Sequence, residues 1–134
     1  MSRPLKALIH TSALMNNLLV ARQAAPNARI LSVVKANGYG HGLVRVAQAL
    51  ASSDGFGVLT MHEAVGLREA GFTQPILLLE GVFAPDELTA VAAHGLNIVV
   101  HTAEQIAMLQ AARSPVKIDV FLKLNSGMNR LGFA

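Results

Sequence analysis

The chain has 134 residues, 52% of them hydrophobic and 14% charged, which is enough apolar material for a core and too little charge for a disordered polymer. That length corresponds to one domain or part of one. The absence of cysteine excludes a disulfide framework and thiolate metal sites and suits a reducing cytosol, while a net charge of +3 on scattered basic residues, with 4% aromatics, offers no nucleic-acid platform.

At the N-terminus, Met1-Ser2-Arg3-Pro4-Leu5-Lys6 lacks the apolar core of a signal peptide. No apolar run approaches the ~20 residues that a bilayer-spanning helix needs. A cytoplasmic chain without a membrane partner is therefore expected. Leu5 to His10 reads as a short strand-like piece. Thr11 or Ser12 can cap a helix with Leu14, Leu18 and Ala21 on one face, stopped by Pro26-Asn27. Arg29 to Lys35 reads as the first core strand. His41-Gly42 opens a helix with Leu43, Val46, Ala47 and Leu50 on one stripe.

A rhythm then sets in. Gly55 to Leu59 is an apolar strand, and Thr60-Met61-His62-Glu63 is a capping box at a helix that runs to Ala70 and stops at Gly71. Ile76 to Leu79 is the next strand. Pro85-Asp86-Glu87 opens a helix with proline in its first turn and acids at its positive end, with Leu88, Val91 and Ala92 inward and Gly95 at its close. Leu96 to Val100 is a strand. Thr102 to Gln105 is a second capping box, with Ile106 and Leu109 toward the core. Lys117 to Leu124 is the last strand, followed by the loop Ser126-Gly127-Met128.

Strand, capped helix and glycine stop recur about every 20–25 residues without an underlying sequence repeat. The middle strands are continuous apolar runs, so both their faces are buried and the sheet is parallel with helical crossovers. A doubly wound sheet and a (β/α) barrel both satisfy this pattern. The barrel is favoured because polar residues recur at successive strand C-termini: Lys35, Thr60 and His62, Glu80, His101, Lys123. Eight strands in ~250 residues make such a barrel. The fold class expected is thus α/β, a partial (β/α)8 TIM barrel comprising about its first five strands. Two strand edges would be left unpaired.

One stretch carries more chemistry than the rest, Ser32 to Gly42, SVVKANGYGHG. A β-branched run delivers Lys35 to the lip of a strand, facing a turn with three glycines, a tyrosine and a histidine. A desolvated lysine there becomes an amine nucleophile. Such an amine suits a Schiff base with an aldehyde, of which pyridoxal phosphate is the commonest cofactor. Equally, Lys35 is a strand-end lysine reaching solvent beside an ordinary turn.

The segment VVKANGYGHG resembles the pyridoxal phosphate lysine motif of the alanine racemases. At the far end KLNSGMNRLGF, Lys123 to Phe133, resembles that family's second signature, and the order of strands and helices between them also fits. The resemblance spans the whole chain. It implies that residues 1–134 are the N-terminal portion of the family's barrel domain, with the C-terminal β domain outside them. It further implies a cytoplasmic, homodimeric isomerase that uses pyridoxal 5'-phosphate to interconvert L- and D-alanine for peptidoglycan precursors.

The resemblance also assigns roles. Lys35 would hold the cofactor as a Schiff base and act as acid and base on the D-alanine face, while a tyrosine of the partner subunit's second domain serves the L face. Tyr39 matches the tyrosine that contacts the cofactor phosphate. Arg130 would contact the cofactor's phenolic oxygen and the substrate carboxylate. Lys123 matches a lysine that is often carbamylated, and the carbamate would pair with the guanidinium of Arg130. Asn125-Ser126 stands where many members have Asp-Thr. Without the resemblance, Lys123 reads as a snorkelling lysine and Arg130 as a surface arginine. No metal site is expected, since the five histidines lack zinc-like spacing. Two other readings are a pyridoxal phosphate-binding barrel without catalysis and an inert truncated chain. Residues 1–134 alone are expected to be inactive.

Overall fold

A computed structural model describes residues 4–112 and 116–134. Five parallel strands pair in sequential order: β1 (Leu31–Val33), β2 (Gly55–Val58), β3 (Ile76–Leu78), β4 (Asn97–Val100) and β5 (Val120–Leu122). Sequential order is what a singly wound barrel requires; a doubly wound sheet starts in its middle and reverses strand order partway, as in 3-2-1-4-5-6. The helices are α1 (Thr11–Ala24), α2 (Lys35–Tyr39), α3 (Leu43–Ala49), α4 (Met61–Glu69), α5 (Glu87–Ala93) and α6 (Ala103–Ala111).

Alternation along the strands separates two faces. Phe56 and Val58, Ile76 and Leu78, Ile98 and Val100 join Val46, Leu67, Leu88 and Val91 of the helices in one buried cluster. Phe56 and Phe72 meet edge to face, with ring centroids 5.3 Å apart. The intervening residues Leu77, Val99 and Phe121 turn to the opposite, concave side, where they line a cavity. The sheet is thus covered by helices on one face and lines a cavity on the other, as a barrel wall does. The continuous apolar runs do bury both faces in β2, β3 and most of β4. At the rims they do not: β5 is exposed throughout, and β1 is half-buried with Val33 exposed.

Several expectations need correction. Leu5 to His10 forms no strand, and Leu5 and Leu8 lie exposed; β1 pairs on one side only, with β2, and its other edge is free. Neither Thr11 nor Ser12 caps α1; His10 occupies that position and its side chain makes no capping bond. Ala21 is exposed, so the buried contact of α1 is Leu18 with Leu14 beside it. Pro85 precedes α5 rather than lying in its first turn; Leu88 N donates to Pro85 O in a tighter lead-in turn. In α6 Ile106 is exposed and Gln105 is the buried residue, because the bonds of Gln105 to the β3 and β4 ends rotate the helix toward it. The first and last strands are shorter than their apolar runs, so Lys35 begins a turn and Lys123 follows β5. No helix among the described residues is long and apolar enough to cross a membrane.

Candidate active site

The stretch after β1 takes an unusual path. Ala36, Asn37, Gly38 and Tyr39 all have φ between 53° and 62°, a left-handed helical turn one residue beyond Lys35. L-residues resist this conformation at about 1–2 kcal/mol each, so the turn persists only if its surroundings impose it. Gly38 is required on two counts: its φ is +62°, and a Cβ there would sit 2.8 Å from Val46 Cγ2. Gly38 N donates to Val34 O and Gly40 N to Ala36 O, both at 2.9 Å. Asn37 Oδ1 accepts from Leu43 N at 2.8 Å, starting α3. His41 Nδ1 donates to Gly38 O at 3.0 Å, so that histidine braces the turn.

Glu63 reaches this turn from the next strand–helix unit. Its Oε1 accepts from Asn37 N at 3.1 Å, and its Oε2 from Leu59 N at 3.1 Å and Thr60 N at 3.3 Å. Thr60 Oγ1 accepts from Glu63 N, completing the capping box expected at α4. Burial opposes ionisation of Glu63, but the N–H donors of Asn37, Leu59 and Thr60 more than offset it and hold its carboxyl below the usual range.

A cavity of about 460 Å³ opens at the C-terminal ends of the strands. Lys35, Leu59, Leu79, Glu80 and Lys123 lie one or two residues past strand ends and line it, together with Arg130. Lys35, Lys123 and Arg130 thus meet around one space, with Glu80 the only acid lining it among the described residues. Tyr39 is not among the lining residues; its side chain is 59% exposed on the turn. His62 is exposed. His101 Nε2 lies 3.0 Å from Glu80 O. Among the described residues no group of three His, Asp or Glu is placed to hold a metal ion.

Arg130 is carried by a loop that folds back on β5: Phe133 N donates to Lys123 O and Asn125 N to Phe133 O. Asn125 organises it. Its Oδ1 accepts from Gly127 N and Asn129 N, and its Nδ2 donates to Asn129 Oδ1 at 2.9 Å. An aspartate could make the first two bonds but not the third. The asparagine is therefore matched to Asn129 rather than a simple loss of charge.

Local pattern reading missed two further features. Gln105 ties β3 to β4, donating to Glu80 O and Val82 O and accepting from His101 N. Arg68 spreads its guanidinium over four carbonyls, those of His94, Phe72, Gln74 and Gly95. Burial lowers the pKa of Arg68 from its ordinary value. The Thr60–Glu63 capping box signalled Glu63; the second box expected at Thr102–Gln105 forms only in half, since Thr102 Oγ1 accepts from Gln105 N while Gln105 Oε1 takes His101 N in place of Thr102 N, and nothing local marks Arg68.

Comparison with known proteins follows the same lines. The family model described as "Alanine racemase, N-terminal domain" matches residues 9–134. An alanine racemase of Nitrosospira multiformis is 56% identical over 133 residues, 99% of this chain and 37% of the relative. The structure of the biosynthetic alanine racemase of Pseudomonas aeruginosa superposes with a TM-score of 0.89 at 41% identity, over 92% of this chain and 35% of that one. A histidine racemase of Leuconostoc mesenteroides superposes with a TM-score of 0.82 at 32% identity, over 92% and 34% of the two chains. The chain therefore spans little more than a third of the length of these relatives.

Proposed function

This chain belongs to the alanine racemase family, within that family's N-terminal domain, and on that premise we propose that the protein it forms part of interconverts L- and D-alanine with pyridoxal 5'-phosphate held on Lys35. The observation that carries the reading is the meeting of Lys35, Lys123 and Arg130 around one cavity at the strand C-termini. The donor set fits the cofactor: the primary amine of Lys35 for its aldehyde, and the guanidinium of Arg130 for an acidic oxygen. Bound there, pyridoxal phosphate supplies the conjugated ring that delocalises the charge left at a substrate α-carbon.

The residues of this chain bind, orient and move a proton. Lys35 Nζ anchors the cofactor and acts as acid and base toward the α-carbon on the D-alanine face. Arg130 presents paired N–H donors to the substrate carboxylate and the cofactor's phenolic oxygen. Tyr39, at the exposed end of the left-handed turn, donates its hydroxyl to the cofactor phosphate. Lys123 carries a carbamate, formed as its neutral amine adds carbon dioxide and releases a proton: three cations around one cavity, with Glu80 the only acid lining it among the described residues, repel one another, and converting one of them to an anion offsets this. The opposing proton donor lies outside residues 1–134 and comes from the second subunit of a homodimer. The whole protein works in the cytoplasm and supplies D-alanine for peptidoglycan.

In the complete protein, Lys35→Ala is expected to abolish the visible absorbance of the bound cofactor and all racemisation; an unchanged spectrum overturns the assignment. Peptide mass mapping is expected to find Lys123 with one added carbon dioxide. A histidine racemase shares this part of the fold at 32% identity. Racemisation assays should therefore include histidine, with turnover of alanine and not of histidine expected.

A further inference from the structure

Two side chains of the same βα unit, Asn37 and His41, brace the turn that follows Lys35. The residue after it, Ala36, already has φ 53°, and the left-handed path continues through Tyr39. Backbone bonds within the turn close it locally, with Gly38 N on Val34 O encircling Lys35. They do not tie it to the rest of the sheet. Among the described residues, one side chain from another βα unit hydrogen-bonds this turn, and it is Glu63. Its two oxygens divide the work. Oε1 holds Asn37 N, two residues after Lys35; Oε2 holds Leu59 N and Thr60 N, at the end of the neighbouring strand. Glu63 is thus a bridge between the two strand ends that flank one side of the cavity.

We propose that Glu63 is a positioning residue for Lys35, fixing the left-handed turn against the β2 terminus so that the lysine amine points into the cavity at a set depth; this rests on reading Lys35 as the cofactor lysine. The chemistry required is specific. All three partners are N–H donors, so the bridge must accept on both of its oxygens, which an ionised carboxylate does. Glutamine turns an NH₂ group toward one of those donors. Aspartate is shorter by a methylene and cannot span both strand ends.

The test uses the complete protein, as wild type and as Glu63→Gln and Glu63→Asp. Borohydride trapping with peptide mapping locates the cofactor, steady-state kinetics separate kcat from KM, and hydrogen exchange reads the Asn37 amide. In Glu63→Gln the cofactor should still be trapped on Lys35, and KM for alanine should change less than about threefold. Its kcat should fall about 100-fold, the order expected when a reacting group is misplaced by about 1 Å. Its Asn37 amide should exchange at least about tenfold faster as its bond is lost. Glu63→Asp should behave alike. Normal trapping on Lys35 with wild-type kcat in both variants overturns the positioning role alone. Wild-type protein that traps no cofactor on Lys35 overturns the underlying reading and this role with it. If neither variant folds, the wild-type Asn37 amide decides: exchange as fast as in an unstructured peptide overturns the bridge, and strong protection upholds it.

Discussion

Glu63 illustrates how a single carboxylate gains its properties from geometry. Three backbone donors hold its pKa below the ordinary 4.5, against the opposing effect of burial. Because the folded value is the lower one, the unfolded chain takes up the proton first. The stabilisation from the ionised bridge is therefore complete above 4.5 and is lost as pH falls through the folded value. Urea unfolding of the complete protein and of Glu63→Gln should show a stability gap of about 1–2 kcal/mol at neutral pH that narrows below 4.5. A gap independent of pH would assign the effect to packing. Arg68 makes a parallel case at the opposite end of the strands, where four carbonyls accept from one guanidinium. Lysine offers a point charge in place of that fork. Arg68→Lys should cost about 2–3 kcal/mol in thermal or urea unfolding, with little effect on cofactor trapping at the distant strand C-termini.

At the level of the element, one device recurs. After β2, β3 and β4, an acid or amide in the first turn of the next helix grips the backbone just before it: Glu63 on Leu59 and Thr60, Glu87 on Phe83 and Ala84, Gln105 on His101. The turns above the sheet are thus held by the helices that follow them. Gly81 lies where this arrangement is tightest. Its φ is +73°, and an added Cβ would collide with the Val99 carbonyl and come within 2.6 Å of Gln105 Nε2. Gly81→Ala should destabilise the protein by about 3 kcal/mol, read as a fall in the urea midpoint. These elements also mark what was legible. Capped helices, glycine stops and buried middle strands follow from residue type and spacing, which act locally, and the sequential parallel sheet follows from them. Lys35, Lys123 and Arg130 were legible through two family motifs, and they do line one cavity. The left-handed run through Ala36 and Tyr39 was not, since neither residue favours it and a bond from Glu63, 26 positions after Asn37, helps to hold it. Ile106 misled because its apolarity fits the helical stripe, whereas polar Gln105 is the residue turned inward. The strand-like Leu5 to His10 failed although the outer edge of β1 is free, because an apolar run does not by itself bring a segment into register with an edge.

For the molecule as a whole, the open concave face matters most. Val33, Val120, Phe121 and Leu122 are exposed on or beside the two edge strands. Apolar strand edges of this kind template further pairing. Residues 1–134 in isolation are expected to self-associate, visible as species larger than a monomer in sedimentation, and to show no racemisation; measurable turnover would show that one wall of the cavity suffices for the chemistry. The sequential order of the five strands has another consequence. Each strand after the first pairs with the strand made immediately before it on the ribosome, with one or two short helices between them. The growing polypeptide can therefore dock every new unit onto a finished surface as it emerges, leaving one moving edge to be shielded beside the fixed edge of β1.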